Sequence, residues 1–145
     1  MTSVLILNGP NLNLLGDRQI EIYGRTSLAE IERMCLDFVS DWNWEISFIQ
    51  SNHEGILIDS LHDARLEHDG VILNAGGYTH TSIALMDAIA SIQIPVVEVH
   101  LSDIYSRESF RQLSYLSKVA IAQVCGMGAK GYLKALEILA SKLTS

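Results

Sequence analysis

Strand-like and helix-like patterns alternate along this 145-residue chain, which predicts an α/β fold: an open parallel sheet with helices on both faces. Three observations carry that reading. Short apolar runs lack the alternation of a half-exposed strand, so they read as strands buried on both faces. Longer stretches between them carry apolar residues at helical spacing. Polar side chains and glycines gather just past the carboxyl ends of the strands, where open parallel sheets bind their ligands.

Each element has a local cause. SVLIL near the start is a buried strand, stopped by Asn8-Gly9-Pro10. Gly9 to Arg25 reads as a long connecting loop, the kind that closes over a ligand, with a lid predicted at about 17–25. Thr26 to Trp42 predicts a helix facing the core through Leu28, Ile31, Cys35, Phe38 and Trp42, with Ser27 and Glu30 as a capping box. Glu45 to Gln50 is the second strand; Gly55 to Glu67 is the second helix, with Leu57, Leu61 and Ala64 inward. Gly70 to Leu73 is the third strand, and Thr79 to Ser91 a helix opening on hydroxyl residues suited to capping. Ile94 to Val99 and Lys118 to Cys125 are the last strands, and Ala129 to Leu143 closes the chain as a helix.

Composition narrows the function. The chain is predicted to be a single domain, 1–145, with apolar residues at 48% and charged residues at 19%, a balance that builds a core and excludes disorder. A net charge of −7 argues against nucleic acid or an anionic membrane as partner, while leaving room for a small anionic substrate met by local cations. Val4 to Leu7 is too short for a signal peptide and no window has the length of a membrane span, so a cytoplasmic protein is expected. Cys35 and Cys125 read as free buried thiols of a reducing compartment.

The run Glu98-Val-His-Leu-Ser102 is the most informative stretch. Glu98 and His100 alternate onto one face of a buried strand. A buried carboxylate needs compensation, and an imidazole two residues on supplies it. Such a pair holds one histidine tautomer of a ring suited to proton transfer near neutral pH. On the loop, Arg18 stands five residues before Tyr23, so a guanidinium within hydrogen-bonding reach of the phenol would make it a usable base. Asn74-Ala-Gly-Gly-Tyr-Thr-His80 brings flexible backbone to a helix start and matches neither the P-loop nor the dinucleotide-binding pattern. His80 and Asp87 are expected on one face of the following helix, and Arg107 and Arg111 on a short helix near the crevice. The histidines have no metal-ligand spacing, and every lysine (Lys118, Lys130, Lys134, Lys142) lies in the last strand and helix, away from the polar strand ends. What remains is acid–base chemistry on a small polar molecule, without metal or cofactor.

Taken together, ILNGPNLNLLG at 6–16, YG at 23–24, QSNHEG at 50–55, ILNAGGYTHTSIAL at 72–85, EVHLS at 98–102, RESFR at 107–111 and GY at 131–132 closely resemble the type II 3-dehydroquinate dehydratases. The resemblance covers nearly the whole chain. It implies a flavodoxin-like three-layer fold with a five-stranded parallel sheet. It also implies the third step of the shikimate pathway: anti elimination of water from 3-dehydroquinate to 3-dehydroshikimate through an enolate, with no cofactor. Carried over residue by residue, Tyr23 removes the C2 proton and Arg18 keeps Tyr23 ionised. His100 protonates the departing hydroxyl, oriented by Glu98, and Asn11 helps place a water that stabilises the enolate. Asn74, His80 and Arg111 hold ring hydroxyls, the backbone at Leu101 and Ser102 receives the substrate carboxylate, and Asp87 reaches into a neighbouring subunit's site. The family typically forms a homododecamer, a tetramer of trimers. The same dehydration serves aromatic synthesis and quinate breakdown, and the resemblance leaves that choice open.

Three positions depart from the family's usual pattern. The family's Arg-Glu-Pro is here Arg18-Gln19-Ile20, its Arg-His-Ser after RESFR is Gln112-Leu113-Ser114, and Ile56 stands where an acid is common. None of these removes a residue assigned to chemistry, so an active enzyme with a more mobile lid is expected. A receiver-type or flavin-binding module is the competing reading. It would require an acidic pair or a hydroxyl-rich phosphate loop after the first strand, where Asn8-Gly9-Pro10 stands instead.

Overall fold

Val4 to Leu7 are all buried, yet they belong to two separate clusters: Val4 and Ile6 to one, Leu5 and Leu7 to the other. Alternation along a strand explains this, because successive side chains leave opposite faces. In the computed structural model, which describes residues 1–144, this strand is β1 (Thr2–Asn8). It is joined by β2 (Trp44–Gln50), β3 (Gly70–Asn74), β4 (Val96–Val99) and β5 (Ala122–Val124), with helices α1 (Ile20–Tyr23), α2 (Leu28–Phe38), α3 (Glu54–Glu67), α4 (Ile83–Ile92) and α5 (Lys130–Leu143). The Ser145 end of the 1–145 domain lies outside the described residues.

All pairings are parallel and the strand order is β2-β1-β3-β4-β5. Helices α2 and α5 supply Ile31, Cys35, Tyr132, Leu136 and Leu139 to the first cluster; α3 and α4 supply Leu57, Leu61, Leu85 and Ile89 to the second. The result is the expected three-layer, flavodoxin-like α/β arrangement. Each fully buried Leu, Ile or Val contributes about 1.5–3 kcal/mol, so the two half-cores dominate stability. The chain turns back between β1 and β3, the point where such sheets open a crevice at their carboxyl ends.

Several boundaries differ from the sequence reading, each for a local reason. α4 begins at Ile83, not Thr79: the Ser82 side chain caps it by accepting from the Leu85 amide, and Gly76–His80 winds as a 3-10 turn. His80 and Asp87 therefore lie on different elements rather than on one helix face. β4 starts after Pro95, which has no N–H to give the ladder. β5 starts at Ala122, because Leu116–Lys118 forms a 3-10 turn instead of strand. α2 stops at Phe38, and Trp42 then packs edge-on against Trp44 at a centroid distance of 5.0 Å as the chain enters β2. The long loop holds two local structures, the 3-10 turn Leu12–Leu14 and the single-turn helix α1. The short helix expected around Arg107 and Arg111 is instead a pair of 3-10 turns, Ile104–Ser106 and Ser109–Arg111. Cys35 is buried in the core as expected, whereas Cys125 is only half-buried.

Gly9 marks the tightest approach at the turn-back point. A methyl group there would sit 2.6 Å from the Ala75 carbonyl oxygen, a backbone atom that cannot step aside alone. The Gly9 amide also donates to the Asn74 carbonyl at 2.7 Å, holding the β1 and β3 ends together. Gly9→Ala is expected to cost about 1–3 kcal/mol through overpacking, read as a lower midpoint in urea unfolding with an unchanged slope.

Candidate active site

The carboxyl ends of β1, β3 and β4, the 12–23 segment and the turns after β4 enclose a pocket of about 210 Å³. Of the residues singled out in the sequence, Asn11, Arg18, Tyr23, Asn74, His80, His100, Leu101, Ser102 and Arg111 all line it. Arg107 lines it as well.

His100 and Glu98 form its base. Glu98 is fully buried within β4, and His100 follows directly beyond the strand. The His100 Nε2 atom lies 2.5 Å from Glu98 Oε2. A carboxylate only accepts, so Nε2 carries the hydrogen and Nδ1 is the nitrogen left for the pocket. Burial pushes the Glu98 carboxyl up, but hydrogen bonds from His100, Ser114 and Gln123 outweigh it and hold the group below the ordinary carboxylate value. The Ser114 hydroxyl donates at 2.7 Å and Gln123 Nε2 at 3.2 Å, both to the same Oε2.

Tyr23 sits on α1 above this pair, held by two cations in different ways. Arg107 donates from Nη1 to the phenolic oxygen at 2.9 Å. Arg18 lies over the ring face, its guanidinium carbon 4.3 Å from the centroid, and donates from Nη2 to the Gln19 side-chain oxygen at 3.0 Å. The direct hydrogen bond expected from Arg18 thus comes from Arg107, and Arg18 contributes by stacking. Both cations contact the same phenol, one at its oxygen and one over its face.

Asn74 is oriented from beneath. Its Nδ2 donates to the Tyr132 hydroxyl at 3.1 Å, that hydroxyl donates to Asn8 Oδ1 at 2.5 Å, and Asn74 Oδ1 accepts from the Gly76 amide at 3.2 Å. Asn8 and Asn74 are ladder partners at the ends of β1 and β3, which explains how one hydroxyl from α5 serves both. Burial pushes Tyr132 above the ordinary phenol range, so it stays protonated and its single hydrogen is committed to Asn8. The remaining Nδ2 hydrogen of Asn74 is the one available to a ligand.

His80 holds its ring through Nδ1, 2.8 Å from the Leu113 carbonyl, which must accept; its ring stacks near that of His100 at a centroid distance of 6.5 Å. Burial holds its pKa below the usual imidazole value, with His100 and Arg111 pushing the same way and the Leu113 and Glu98 oxygens opposing. Neutral His80 therefore presents Nε2 as an acceptor for a hydroxyl.

Two residues stand apart from the pocket wall. Glu98 lies beneath it, and Asp87 is exposed on α4, outside the pocket of its own chain. Sequence reasoning assigned no role to Tyr132, Ser114 or Gln123, and weighed Arg107 only as a helical cation within reach of the crevice. Of the first three, Gln123 had a signal, a lone amide within the apolar run 119–125, and the structure makes it the ladder neighbour of Glu98 on β5. Among the described residues, no helix is long and apolar enough to cross a membrane.

Comparison with known proteins agrees with this geometry. A family model described as dehydroquinase class II matches residues 2–140. The chain is 59% identical over 142 residues to the 3-dehydroquinate dehydratase of Dinoroseobacter shibae, covering 98% of this chain and 95% of the relative. It is 54% identical over 144 residues to that of Ruegeria pomeroyi, covering 99% and 97%. The crystal structure of type II dehydroquinase from Butyrivibrio crossotus superimposes with a TM-score of 0.93 at 40% identity, covering 96% of this chain and 97% of that one. With a match of this length and these side chains at one strand-end pocket, the chain belongs to the class II dehydroquinase family.

Proposed function

We propose that this chain dehydrates 3-dehydroquinate to 3-dehydroshikimate, with Tyr23 as base and His100 as acid. One observation carries the mechanism: a cation-held phenol and a carboxylate-backed imidazole share a single pocket. The supporting identity is that of relatives named 3-dehydroquinate dehydratase at 50–59% over nearly the full chain.

The electron flow follows. Tyr23, as phenolate, takes the C2 proton, and the pair from that bond moves into an enolate on the neighbouring ketone. The enolate reforms the ketone and expels the C1 hydroxyl, which takes the proton on His100 Nδ1 and leaves as water. A C1–C2 double bond conjugated to the ketone remains. Tyr23 ends protonated and His100 neutral, and exchange with solvent resets both. Glu98 stabilises the imidazolium before transfer and fixes its tautomer. Asn11 helps place the water that meets the enolate oxygen, since charge that develops there must be matched by prepositioned donors. Asn74, neutral His80 and Arg111 bind ring hydroxyls, and the backbone at Leu101 and Ser102 receives the carboxylate.

Arg18 and Tyr23 ride on 17–25, which acts as a lid that excludes water when it closes. The residue after α1, Gly24, has φ +83, a conformation suited to glycine that ends the helix and turns the chain away from Tyr23. The protein works in the cytoplasm as a homododecamer, a tetramer of trimers. Asp87 supports an assembled state, because an exposed acid on α4 lies outside its own chain's pocket and is suited to a neighbour's.

Growth of enone absorbance on adding 3-dehydroquinate tests the reaction; a folded protein giving none would sink it. Tyr23→Phe and His100→Ala are each expected to lower kcat by ~10²–10⁴, and borohydride with substrate to leave activity intact. Arg107→Leu is expected to act mainly on kcat, since it removes the hydrogen bond to the phenol and not a ring-binding contact. For the assembly, Asp87→Ala subunits mixed and reassembled with Tyr23→Phe subunits are expected to recover part of the activity that neither has alone. A monomeric, fully active protein in sedimentation would refute the shared site.

A further inference from the structure

Every hydrogen bond to the buried Glu98 carboxylate falls on Oε2, and Oε1 has no partner among the described residues. We propose that Gln123 and Ser114 are positioning residues for the dehydration: they lock the Glu98 carboxylate so that it holds the His100 ring toward substrate, and Tyr105 fixes which end of the Gln123 amide does so. This rests on the reading above that His100 gives the proton.

The geometry comes from the sheet itself. Leu73, Glu98 and Gln123 are in register across β3, β4 and β5, so the Gln123 side chain lies on the same face as Glu98. An ionised carboxylate accepts only, which requires the amide nitrogen of Gln123 to face it. The amide oxygen is then turned outward and takes the Tyr105 hydroxyl at 2.8 Å. Ser114 arrives from the turns between β4 and β5. Its oxygen accepts from the Ser117 amide at 3.1 Å while its hydrogen goes to Glu98, so that hydroxyl has one orientation.

These donors have no substitute. With Oε1 unpartnered, Ser114 and Gln123 are the whole compensation for the charge besides His100 itself. Losing either one leaves the carboxylate freer to rotate about its terminal bond, and His100 would then be held by a moving acceptor. The other titratable and charged groups around the pair are Arg18, Tyr23, His80, Arg107 and Arg111 across the pocket, Tyr105 on the Gln123 amide, and Cys125 and Asp103 beside β5. None of these donates a hydrogen bond to Glu98.

The test compares Gln123→Leu, Gln123→Glu, Ser114→Ala and Ser114→Thr with the unaltered chain, by kcat and KM from about pH 3 to about pH 9. Removing a donor from the ionised carboxylate lets it take a proton at higher pH, so the acid limb of kcat must move up. Gln123→Leu and Ser114→Ala are expected to shift it by about one unit and lower kcat about tenfold, with KM within about twofold. Gln123→Glu keeps the shape but brings a like charge, so its shift is expected to be larger. Ser114→Thr keeps the hydroxyl and is expected to restore both values. Superimposable acid limbs in folded variants would overturn the proposal, as would a loss that Ser114→Thr fails to rescue. If Gln123→Leu does not fold, the near-isosteric Gln123→Glu decides. Ring ¹⁵N shifts of His100 give a readout independent of turnover. Unaltered shifts in Gln123→Leu would refute the proposal even if the chain proved inactive on 3-dehydroquinate, whereas absent turnover with altered shifts would refute only the functional reading.

Discussion

A carboxylate sealed inside a parallel sheet is the constraint around which this molecule is arranged. Glu98 has no access to water, so its charge must be met by protein groups or be lost. The imidazole beyond the strand, a hydroxyl from the following turns and an amide on the neighbouring strand meet it together. Burial and ionisation pull in opposite directions here, and the donors win. The histidine is therefore not an isolated side chain in a crevice. It is the outer end of a rigid polar chain rooted in the core.

The Tyr23 side of the pocket is built on a different principle. Tyr23 owes its place to charge: one guanidinium on its oxygen and another over its ring face. These contacts come from segments with few buried apolar residues, and α1 itself buries none fully. One half of the site is thus held by the core and the other half by contacts between guanidinium groups and a phenol. The two halves of the pocket wall differ in how deeply each is rooted in the core.

Much of this was legible in the sequence. Undivided apolar runs implied a doubly covered parallel sheet, and the alternation of Glu98 with His100 implied their pairing. The Asn and His residues at strand ends marked the crevice. Other features were not legible, for reasons of geometry. That Arg107, not Arg18, reaches the phenol oxygen depends on the path of two successive 3-10 turns, which leave no periodic signature. The start of α4 hung on whether Thr79 or Ser82 would cap it, and both residue types are suited to the task. The role of Tyr132 needed the docking of α5 under β1 and β3, a contact between residues 124 positions apart.

That last contact bears on how the molecule is made. β1 and β3 can pair early, since both lie within the first 74 residues, but the amides at their ends, Asn8 and Asn74, meet at a hydroxyl carried by α5. During synthesis the growing chain holds these two buried amides without their partner until α5 leaves the ribosome. Contacts between distant parts of a chain form late, because loop closure must come first. The ends of β1 and β3 therefore acquire their final order only once α5 has docked, and until then Asn74 keeps only its bond from the Gly76 amide.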